Sequence, residues 1–516
     1  MLVALIASSP IILILLLMVV FRFSAVKASL AGYAFCLLIG SFFFGANRDV
    51  LYYSHIKGLW YAIDVLLIIW NAFLFYLIVE KAGMIQLLSQ QLPLLTSSKE
   101  SQALLIGWVF ASFLQGVGGF GVPVAVIAPI LISLGFTPML AVLIPSIGHG
   151  WAVTFGSLGS SFRALLAVTG EAVHPLGIAA GIILGVSGIG CGFSILFLVG
   201  RMKAIWDYIW QALSVGVLMG VVLVFMIGKG LWNLASFLAA AFGLIWFLFL
   251  IRLSNGKTHL GRKTIEKIVF SFSAYLLLTV TILMIQFIPT IHQFLSRISI
   301  YHILPAFQTS PNKLNLPIRN IPIEKVGNLS IFVHPGVVLF YGSILVSIYF
   351  WLLKRFPHGI MRVLFKDLSR NLLPTTLVVW TMANTAVIMD NCGMTKVIAG
   401  TLANIFTQSF LIISPWIGGL GAFITGSNTN SNLLFGLLQK NIAEILHLPL
   451  ILVLAGQTAG ASITSVLAPA KIIVGTSTSG LIGKEGWVLR NLIPFVIFEV
   501  LLISIVLLIM SKVWIR

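Results

Sequence analysis

Apolar runs of about 20 residues recur along the whole chain, and each is long enough to cross the hydrocarbon of a bilayer as a helix. The runs lie at 2–21, 28–46, 59–79, 138–157, 176–200, 207–228, 231–251, 268–290, 331–353, 371–389, 449–467 and 487–511. Because 59% of the residues are hydrophobic and only 9% are charged, the chain lacks the polar shell of a soluble domain. We therefore predict an all-α polytopic membrane protein with about 12 transmembrane helices.

Two further apolar regions are interrupted by residues that disfavour a continuous helix. Residues 101–135 contain GVGGFGVP (116–123), and residues 411–446 contain TGSNTNSN (425–432). Irregular backbone is tolerated at membrane depth only where it is buried in protein or lines a wet cavity. We therefore predict a re-entrant helical hairpin in each region, with the irregular stretch at its tip.

Close helix packing through small residues is a second explanation of glycines in apolar sequence. We assign this explanation to the stretch GIILGVSGIGCG at 181–192. It does not explain Asn428, Asn430 and Asn432, because an unpaired amide is costly in an apolar setting.

Basic residues cluster in four connections, at 22–27, 201–203, 252–267 and 354–370. Lys and Arg collect in cytoplasmic loops, so the net charge of +18 does not point to a nucleic-acid partner. Placing all four connections in the cytoplasm leaves both termini outside. The polar, proline-containing connection 292–330 is then external, and we expect it to be mobile.

Two parts of the chain resemble each other in four ordered blocks, at an offset of 310 or 311 residues. The matches include Trp70/Trp380, Glu80/Asp390, Met84/Met394, Gly107/Gly418 and Pro138/Pro449. In the predicted topology the two copies are inverted. Inverted repeats with paired, interrupted segments are typical of secondary transporters, whose site lies near the midplane between the repeats.

The predicted organisation has four parts. N-terminal transmembrane helices occupy 1–58, the first repeat 59–200, connecting helices and the external connection 201–330, and the second repeat 331–516. The three cysteines, Cys36, Cys191 and Cys392, lie in or beside apolar runs without metal-binding spacing, so we expect them to be buried. Neither a metal nor a cofactor is expected.

Several long motifs resemble the L-lactate permease family, from about residue 60 to the C-terminus. They are QALLIGWVFASFLQGVGGFGVPVAVIAPILISLGFTP (102–138), FGSLG (155–159), VTG (168–170), CGMT (392–395), FITGSNTNSNLLFGLLQ (423–439) and TSGLIGKE (478–485). The resemblance implies uptake of L-lactate, glycolate and related 2-hydroxymonocarboxylates in symport with protons across the bacterial inner membrane.

The chain departs from the family pattern at five positions near the predicted tips. Gln115 and Asn428 stand where the family has acids, Lys471 replaces a small polar residue, His149 replaces an asparagine, and Arg163 stands in an apolar setting. Two interpretations stay open. Either these are neutral changes, with Lys471 and Arg163 as loop charges near the membrane surface, or the coupling mechanism has changed or the substrate is more anionic.

Half-helix N-termini at the two tips would present free N–H groups to an anion. We expect the substrate carboxylate to bind there, and one donor–acceptor group to bind its hydroxyl. The residues predicted for the carboxylate are Gly118, Gly119, Gly121, Ser427, Asn428, Thr429, Asn430, Asn432 and Lys471. The candidates for the hydroxyl are Ser146, Thr154, Gln457 and Thr464.

The candidates for ion coupling are His149, Glu499 and the position of Gln115. His149 titrates near neutral pH when unperturbed, and the glycines on either side of it indicate an unwound segment. Glu499 lies in the middle of a run, where a carboxylate is costly unless it is paired or protonated, and a purely structural hydrogen bond is the alternative. Other acids are expected nearer to helix ends: Asp64, Glu80 and Asp390.

Three classes of function remain from the sequence. A secondary transporter with proton coupling is favoured, and sodium-coupled or uncoupled transport of another organic anion is its nearest alternative. A passive anion channel would use the same hairpins around a continuous pore. An integral membrane enzyme is not expected, because the nine histidines are scattered and form no catalytic dyad or metal cluster.

Overall fold

The fold is built mainly from helices, as the apolar runs predict. The computed structural model describes residues 2–119, 121–254, 262–356 and 359–514, so Phe120 in the first predicted tip and residues 255–261 in the third basic connection lie outside the described part. Within the described part, ten helices are long and apolar enough to cross a membrane, and a bent pair of helices raises the number to eleven.

The first half of the described chain contains ten α-helices and one π-helix. They are α1 (Leu2–Val19), α2 (Ala25–Phe43), α3 (Arg48–Lys81), α4 (Met84–Gln91), α5 (Lys99–Gln102), the π-helix (Ala103–Phe110), α6 (Ala111–Val117), α7 (Val122–Ser133), α8 (Pro138–Gly150), α9 (Ser160–Thr169) and α10 (Val173–Gly228). Because α3 begins at Arg48, the predicted repeat boundary at residue 59 falls inside one helix.

The helix α10 has two arms. At 56 residues it would be roughly 84 Å long as a straight helix, far longer than one crossing requires. Its backbone leaves the helical conformation at Gly200 and Arg201. The arms on either side of this break correspond to the two apolar runs predicted at 176–200 and 207–228.

The second half of the described chain contains twelve α-helices. They are α11 (Ala235–Ser254), α12 (Arg262–Ser271), α13 (Ser273–Phe287), α14 (Pro289–Leu295), α15 (Pro335–Leu352), α16 (Ile360–Asn391), α17 (Met394–Phe406), α18 (Phe410–Thr425), α19 (Asn428–Ile445), α20 (Leu450–Thr464), α21 (Pro469–Ser479) and α22 (Glu485–Trp514). The bent pair is α13 with α14, which meet at 81°.

The connection predicted at 292–330 is not structureless. It forms two small antiparallel sheets, one from β1 (Ser299–Leu304) with β4 (Glu324–Ser330) and one from β2 (Phe307–Gln308) with β3 (Asn320–Ile321). Glu324 fixes this unit to α3, because its carboxylate accepts hydrogen bonds from Tyr53 at 2.6 Å and from Lys57 at 2.7 Å. We refer to the end of the molecule that carries β1–β4 as the strand face.

The two long helices α3 and α16 pack side by side and run antiparallel. Ser54 near the start of α3 contacts Asn391 at the end of α16, with 2.9 Å between Oγ and Nδ2. Trp70 lies further along α3 and donates to Thr376, which lies earlier in α16, at 2.9 Å. The helix α3 therefore begins at the strand face, and α16 ends there.

The same order of helices follows α3 and α16. In each case a left-handed glycine leads into a methionine, at Gly83 and at Gly393. A short helix, two helices separated by a break, and two more helices separated by a second break come next: α4–α9 in the first half and α17–α21 in the second. The packing is reciprocal, because α9 lies against α19 and α21 lies against α7.

Close packing explains the glycines of 181–192, as predicted. A Cβ at Gly185 would lie 3.1 Å from the Cα of Gly220, and one at Gly192 would lie 2.9 Å from the Trp108 ring. The three cysteines are buried and unpaired, which confirms their assignment as small core residues.

Candidate functional site

The first predicted tip is a break between two helices. The helix α6 ends at Val117 and α7 begins at Val122, and Gly119 and Gly121 between them have φ angles of +63° and +84°. Glycine adopts this left-handed conformation without the penalty that a Cβ brings. A Cβ at Gly119 would also lie 1.9 Å from Ser157 Oγ, so the position requires glycine for space as well as for conformation.

The second predicted tip is a shorter break than expected. The helix α18 ends at Thr425, Gly426 has a φ of +76°, and Ser427 is extended before α19 begins at Asn428. The asparagines therefore lie in the first turns of a helix and not in an irregular elbow. The N-terminus of α19 leaves the N–H groups of its first turn without partners inside the helix.

The prediction of a full-length helix at 138–157 is wrong. The helix α8 ends at Gly150, and the backbone is irregular as far as Gly159, with Ser157 and Leu158 at positive φ. The chain can leave the helix here because side chains satisfy the freed backbone groups. Ser462 Oγ accepts from the Thr154 N–H at 3.1 Å, and Ser236 Oγ donates to Ala152 O at 3.0 Å.

A matching interruption follows α20. After Thr464 the chain makes one 3₁₀ turn, becomes extended at Ala468, and begins α21 at Pro469. Among the described residues, the two predicted hairpins and the helices that follow them thus contain four breaks. Two lie between the helices of the hairpins, at 118–121 and 426–427, and two lie after the helices that follow them, at 151–159 and 465–468.

The start of α21 touches both predicted tips. The Cβ position of Gly121 lies 3.9 Å from Lys471 Cγ, and that of Gly426 lies 3.9 Å from Ala468 Cβ. The first tip also contacts Ser157 in the break at 151–159. The sequence predicts the breaks at 118–121 and 426–427 but not those at 151–159 and 465–468. The two unpredicted breaks therefore bring the two predicted ones together.

Amide groups at the start of α19 cross-link the second tip to its surroundings. Asn428 Nδ2 donates to Thr154 Oγ1 at 3.0 Å, and Asn432 Nδ2 donates to Thr458 Oγ1 and to Ser161 O, both at 2.9 Å. The protein itself thus satisfies much of the hydrogen-bonding capacity of these amides. Asn430 differs, because its buried Oδ1 has no partner in the described part of the chain.

Thr429 and three of the four predicted hydroxyl-binding residues, Ser146, Thr154 and Gln457, have protein partners. Thr429 Oγ1 lies 2.9 Å from Ser161 Oγ, and Ser146 Oγ donates to Val142 O in its own helix at 2.7 Å. Gln457 Nε2 donates to Ser431 Oγ at 3.1 Å, and its Oε1 accepts from Gln439 at 2.5 Å. Of the four hydroxyl candidates, Thr154 and Gln457 bond directly to residues of the second predicted tip, Thr154 to Asn428 and Gln457 to Ser431.

Lys471 is a partly buried cation at the junction of the breaks. Its Nζ donates to Ser465 Oγ at 2.9 Å. Among the residues that the structure describes, no Asp or Glu side chain forms a salt bridge with it. Lys471 lies in the first turn of α21 and not in a loop, and an ammonium without an acidic partner beside Gly121 favours an anionic ligand.

His149 and Gln115 carry unpartnered polar atoms. His149 is fully buried and lies in the last turn of α8, so the predicted unwinding starts only after it, at Trp151. Its Nδ1 lies 2.6 Å from Pro145 O, which can only accept, so Nδ1 carries a proton and Nε2 has no partner in the described part. Gln115 Oε1 is likewise buried without a described partner, close to Gly119 and Gly156.

Glu499 is a residue of α22, and its side chain faces α10. Its carboxylate accepts from Ser187 Oγ at 2.7 Å and from Ser194 Oγ at 3.5 Å. These contacts bind it to the first arm of α10 and not to a residue of either tip, which is the arrangement of a structural hydrogen bond.

Arg163 and Asp64 form a buried ion pair away from the tips. Arg163 Nε and Nη2 donate to the two carboxylate oxygens of Asp64 at 2.7 and 2.8 Å, and His334 Nε2 lies 2.8 Å from Oδ1. Asp64 was expected near a helix end, but α3 begins at Arg48 and places it well inside. Glu80 and Asp390 do lie near the ends of α3 and α16.

These features define a multi-pass membrane protein in which paired helix breaks converge beside a buried cation. Its long apolar helices and its breaks are those expected of a permease. The sequence profile of one family, described as L-lactate permease, matches residues 3–514. The chain belongs to the L-lactate permease family.

Individual relatives are distant but similar over nearly their whole length. The chain is 27% identical to "Glycolate permease GlcA" of Escherichia coli strain K12, over 99% of this chain and 96% of that protein. It is 27% identical to "L-lactate permease" of Bacillus subtilis strain 168, over 98% and 95%. It is 26% identical to "Putative L-lactate permease" of Haemophilus influenzae, over 84% of each chain.

Proposed function

We propose that this protein is a secondary transporter that takes up L-lactate, glycolate or a related small 2-hydroxymonocarboxylate across the bacterial inner membrane. Uptake occurs by alternating access and in symport with protons. The names of its relatives support the substrate class. The meeting of the helix breaks around the start of α21 is the observation that carries the proposal. Lys471, which has no acidic partner among the described residues, lies there beside Gly121, and the N-terminus of a helix favours an anion.

The moving parts are two inverted repeats, each with a re-entrant hairpin. The antiparallel course of α3 and α16, the shared order of the helices that follow them, and their reciprocal packing support this assignment. The hairpins are α5–α7 with the intervening π-helix, and α18–α19. In such an arrangement the site lies between the repeats, and their relative movement opens it to one side at a time.

The substrate carboxylate binds between the two hairpin breaks. Lys471 neutralises its charge, and N–H groups around Gly119 and Gly121 and at the start of α19 donate to its oxygens. The unpartnered Oδ1 of Asn430 and the hydroxyl of Thr154 are the groups proposed to bind the substrate hydroxyl. Asn428 and Asn432 hold the first turn of α19 in position for this contact.

Changes at the breaks test the site assignment. Gly119→Leu and Asn428→Ala are each expected to abolish uptake of radiolabelled L-lactate by proteoliposomes without loss of expression. Leucine at Gly119 has an unfavourable φ and collides with Ser157, and alanine at Asn428 removes the bond to Thr154.

Two matched variants provide the controls for this test. Gly170→Leu has a similar φ of +69° but nothing within 4 Å of its Cβ position. Asn491→Ala removes an amide that donates only within its own helix. Both are expected to transport normally. Normal uptake by both Gly119→Leu and Asn428→Ala would refute the site assignment.

Proton coupling is assigned to His149, because Gln115 and Asn428 cannot carry a proton in place of the acids of the family. His149→Gln keeps hydrogen-bonding groups but cannot gain a charge. We expect its uptake to stop following an imposed pH gradient while exchange of L-lactate at equal pH continues. His174→Gln, at an exposed position, is the control.

The response to ion gradients also separates the alternatives. Wild-type uptake driven by a sodium gradient and indifferent to pH would replace proton symport with sodium coupling. An unchanged pH response in His149→Gln would exclude His149 as the coupling group.

A further inference from the structure

A cavity of about 140 Å³ lies at the strand face, outside the residues assigned to the carboxylate site. Its walls come from the segment after α10, the end of α13, the helix α14 and the start of α15. The residues that matter for its chemistry are Trp232, Asn233, Ile282, Gln286, His292 and Val338.

Two polar side chains in the wall have unused hydrogen-bonding atoms. Asn233 is only 5% exposed, and its Oδ1 has no partner in the described part of the chain. The buried Nδ1 of His292 also has no partner in the described part of the chain. Gln286, by contrast, donates to Gly230 O at 3.1 Å. Because buried polar groups are costly when unpaired, the cavity favours an occupant that offers them hydrogen bonds.

The remaining wall limits the kind of occupant. Ile282 and Val338 are buried aliphatic residues that line the same space. A ligand that fits has polar atoms at one end and a short apolar group at the other. A small hydroxycarboxylate such as L-lactate has this character: its carboxylate and hydroxyl are adjacent, and its methyl group lies opposite.

The cavity shares a wall with the break at 151–159. A Cβ at Gly159 would lie 2.6 Å from the Trp232 ring and 3.2 Å from the Cα of Asn233. The Trp232 ring also packs against Phe162 of α9, with 5.8 Å between ring centroids. The segment with Trp232 and Asn233, which forms one wall of the cavity, therefore also packs against the break at 151–159.

We propose that this cavity is a second binding site for the transported carboxylate. The substrate occupies it on its way between the strand face and the carboxylate site at the helix breaks. The inference rests on the proposed transport function. His292 donates to a carboxylate oxygen, Asn233 Oδ1 accepts from the hydroxyl, and the methyl group packs against Ile282 and Val338. The Trp232 ring separates the two sites.

Substrate protection of an introduced thiol tests this proposal. Val333→Cys, at a residue that lines the cavity and has no proposed contact with the substrate, is expected to react with a small anionic thiol reagent in the purified full-length protein in detergent, whereas the buried native cysteines of the unaltered protein do not. L-lactate is expected to slow the reaction. The protection should persist in Val333→Cys/Asn428→Ala, because the cavity binds substrate independently of the carboxylate site at the helix breaks.

Two further variants sharpen the test. His302→Cys, on the exposed strand β1, should react at a rate that L-lactate does not change. Adding His292→Phe to Val333→Cys should raise the L-lactate concentration for half-protection about tenfold, as expected for loss of one charge-assisted hydrogen bond.

The outcomes separate this inference from the proposed function. An unreactive Val333→Cys, a reaction that L-lactate does not slow, or protection that disappears with Asn428→Ala would overturn the second site. Protection that persists although the wild-type protein takes up no L-lactate would instead leave the cavity as a carboxylate site and refute transport.

Discussion

Replacing Lys471 with methionine is expected to abolish L-lactate uptake and to raise the melting temperature of the purified protein. Losing the partner of a buried charge costs about 2–5 kcal/mol of binding, so Vmax/KM should fall by about 30-fold or more. In the absence of substrate the ammonium has no acidic partner among the described residues, and removing an uncompensated charge from a poorly solvated position is stabilising.

The opposite signs of the two effects distinguish a binding residue from a structural one. Lys396→Met, at an exposed position of α17, is the matched control and should change neither quantity. Uptake by Lys471→Met at the wild-type rate would show that the ammonium does not hold the carboxylate. Loss of uptake together with a lower melting temperature would indicate a structural role for Lys471.

Replacing Asp64 with asparagine is expected to lower the free energy of unfolding by about 3–5 kcal/mol, the typical cost of leaving one member of a buried ion pair alone. Asp64 receives two hydrogen bonds from Arg163 and one from His334. The Gly336 N–H donates to His334 Nδ1, so Nε2 carries the proton of a neutral imidazole and donates to Asp64. Within this cluster of three side chains, the Asp64 carboxylate is therefore the group that neutralises the charge of Arg163.

A double variant isolates this ion pair. Asp64→Asn/Arg163→Met removes both charges and should recover much of the lost melting temperature, because no charge is left uncompensated. Asp207→Asn, at an exposed position of α10, should have little effect. A double variant no more stable than Asp64→Asn would show that the pair is not the source of the stability.

The position of this pair predicts an effect on transport as well as on stability. Arg163 lies on α9, two residues after Ser161, whose hydroxyl and carbonyl contact Thr429 and Asn432 at the start of α19. The pair therefore holds α9 against α3 while α9 holds one edge of the carboxylate site. It links the proposed site to the long helix α3.

The two helix breaks at the hairpin tips could be predicted because their signal is local. Gly119, Gly121 and Gly426 have left-handed backbone conformations, which a side chain would disfavour sterically. The sequence shows this requirement directly, as glycines at positions where an apolar helix would otherwise continue. Membrane depth makes the signal stronger, since irregular backbone there must be buried or wet. The helix ends at Val117 and Thr425 lie within the predicted tips.

The break at 151–159 was missed because its cause is not local. Its backbone is held by Ser236 and Ser462, which lie far away in sequence. The available signal is the group of glycines and serines at 156–160, which begins inside the run predicted as one helix at 138–157 and continues past its end. The glycines beside His149 misled, because they serve helix packing: a Cβ at Gly148 would lie 2.0 Å from Gly107 O.

The roles of individual charges could not be predicted from sequence. Arg163 and Lys471 both appeared as unexpected basic residues in apolar sequence, yet one is fully paired and the other has no acidic partner among the described residues. The difference depends on which helix packs opposite each of them. Composition and spacing do not contain that information.

The most direct test of the central claim is counterflow of L-lactate in proteoliposomes. Vesicles loaded with unlabelled L-lactate and diluted into a trace of labelled L-lactate should accumulate label transiently above equilibrium, because one site exposed alternately to the two sides exchanges substrates one for one. Gly119→Leu should show no overshoot. A wild-type protein that equilibrates the label without any overshoot would be a passive pore, and the account of two repeats moving around a shared carboxylate site would be wrong.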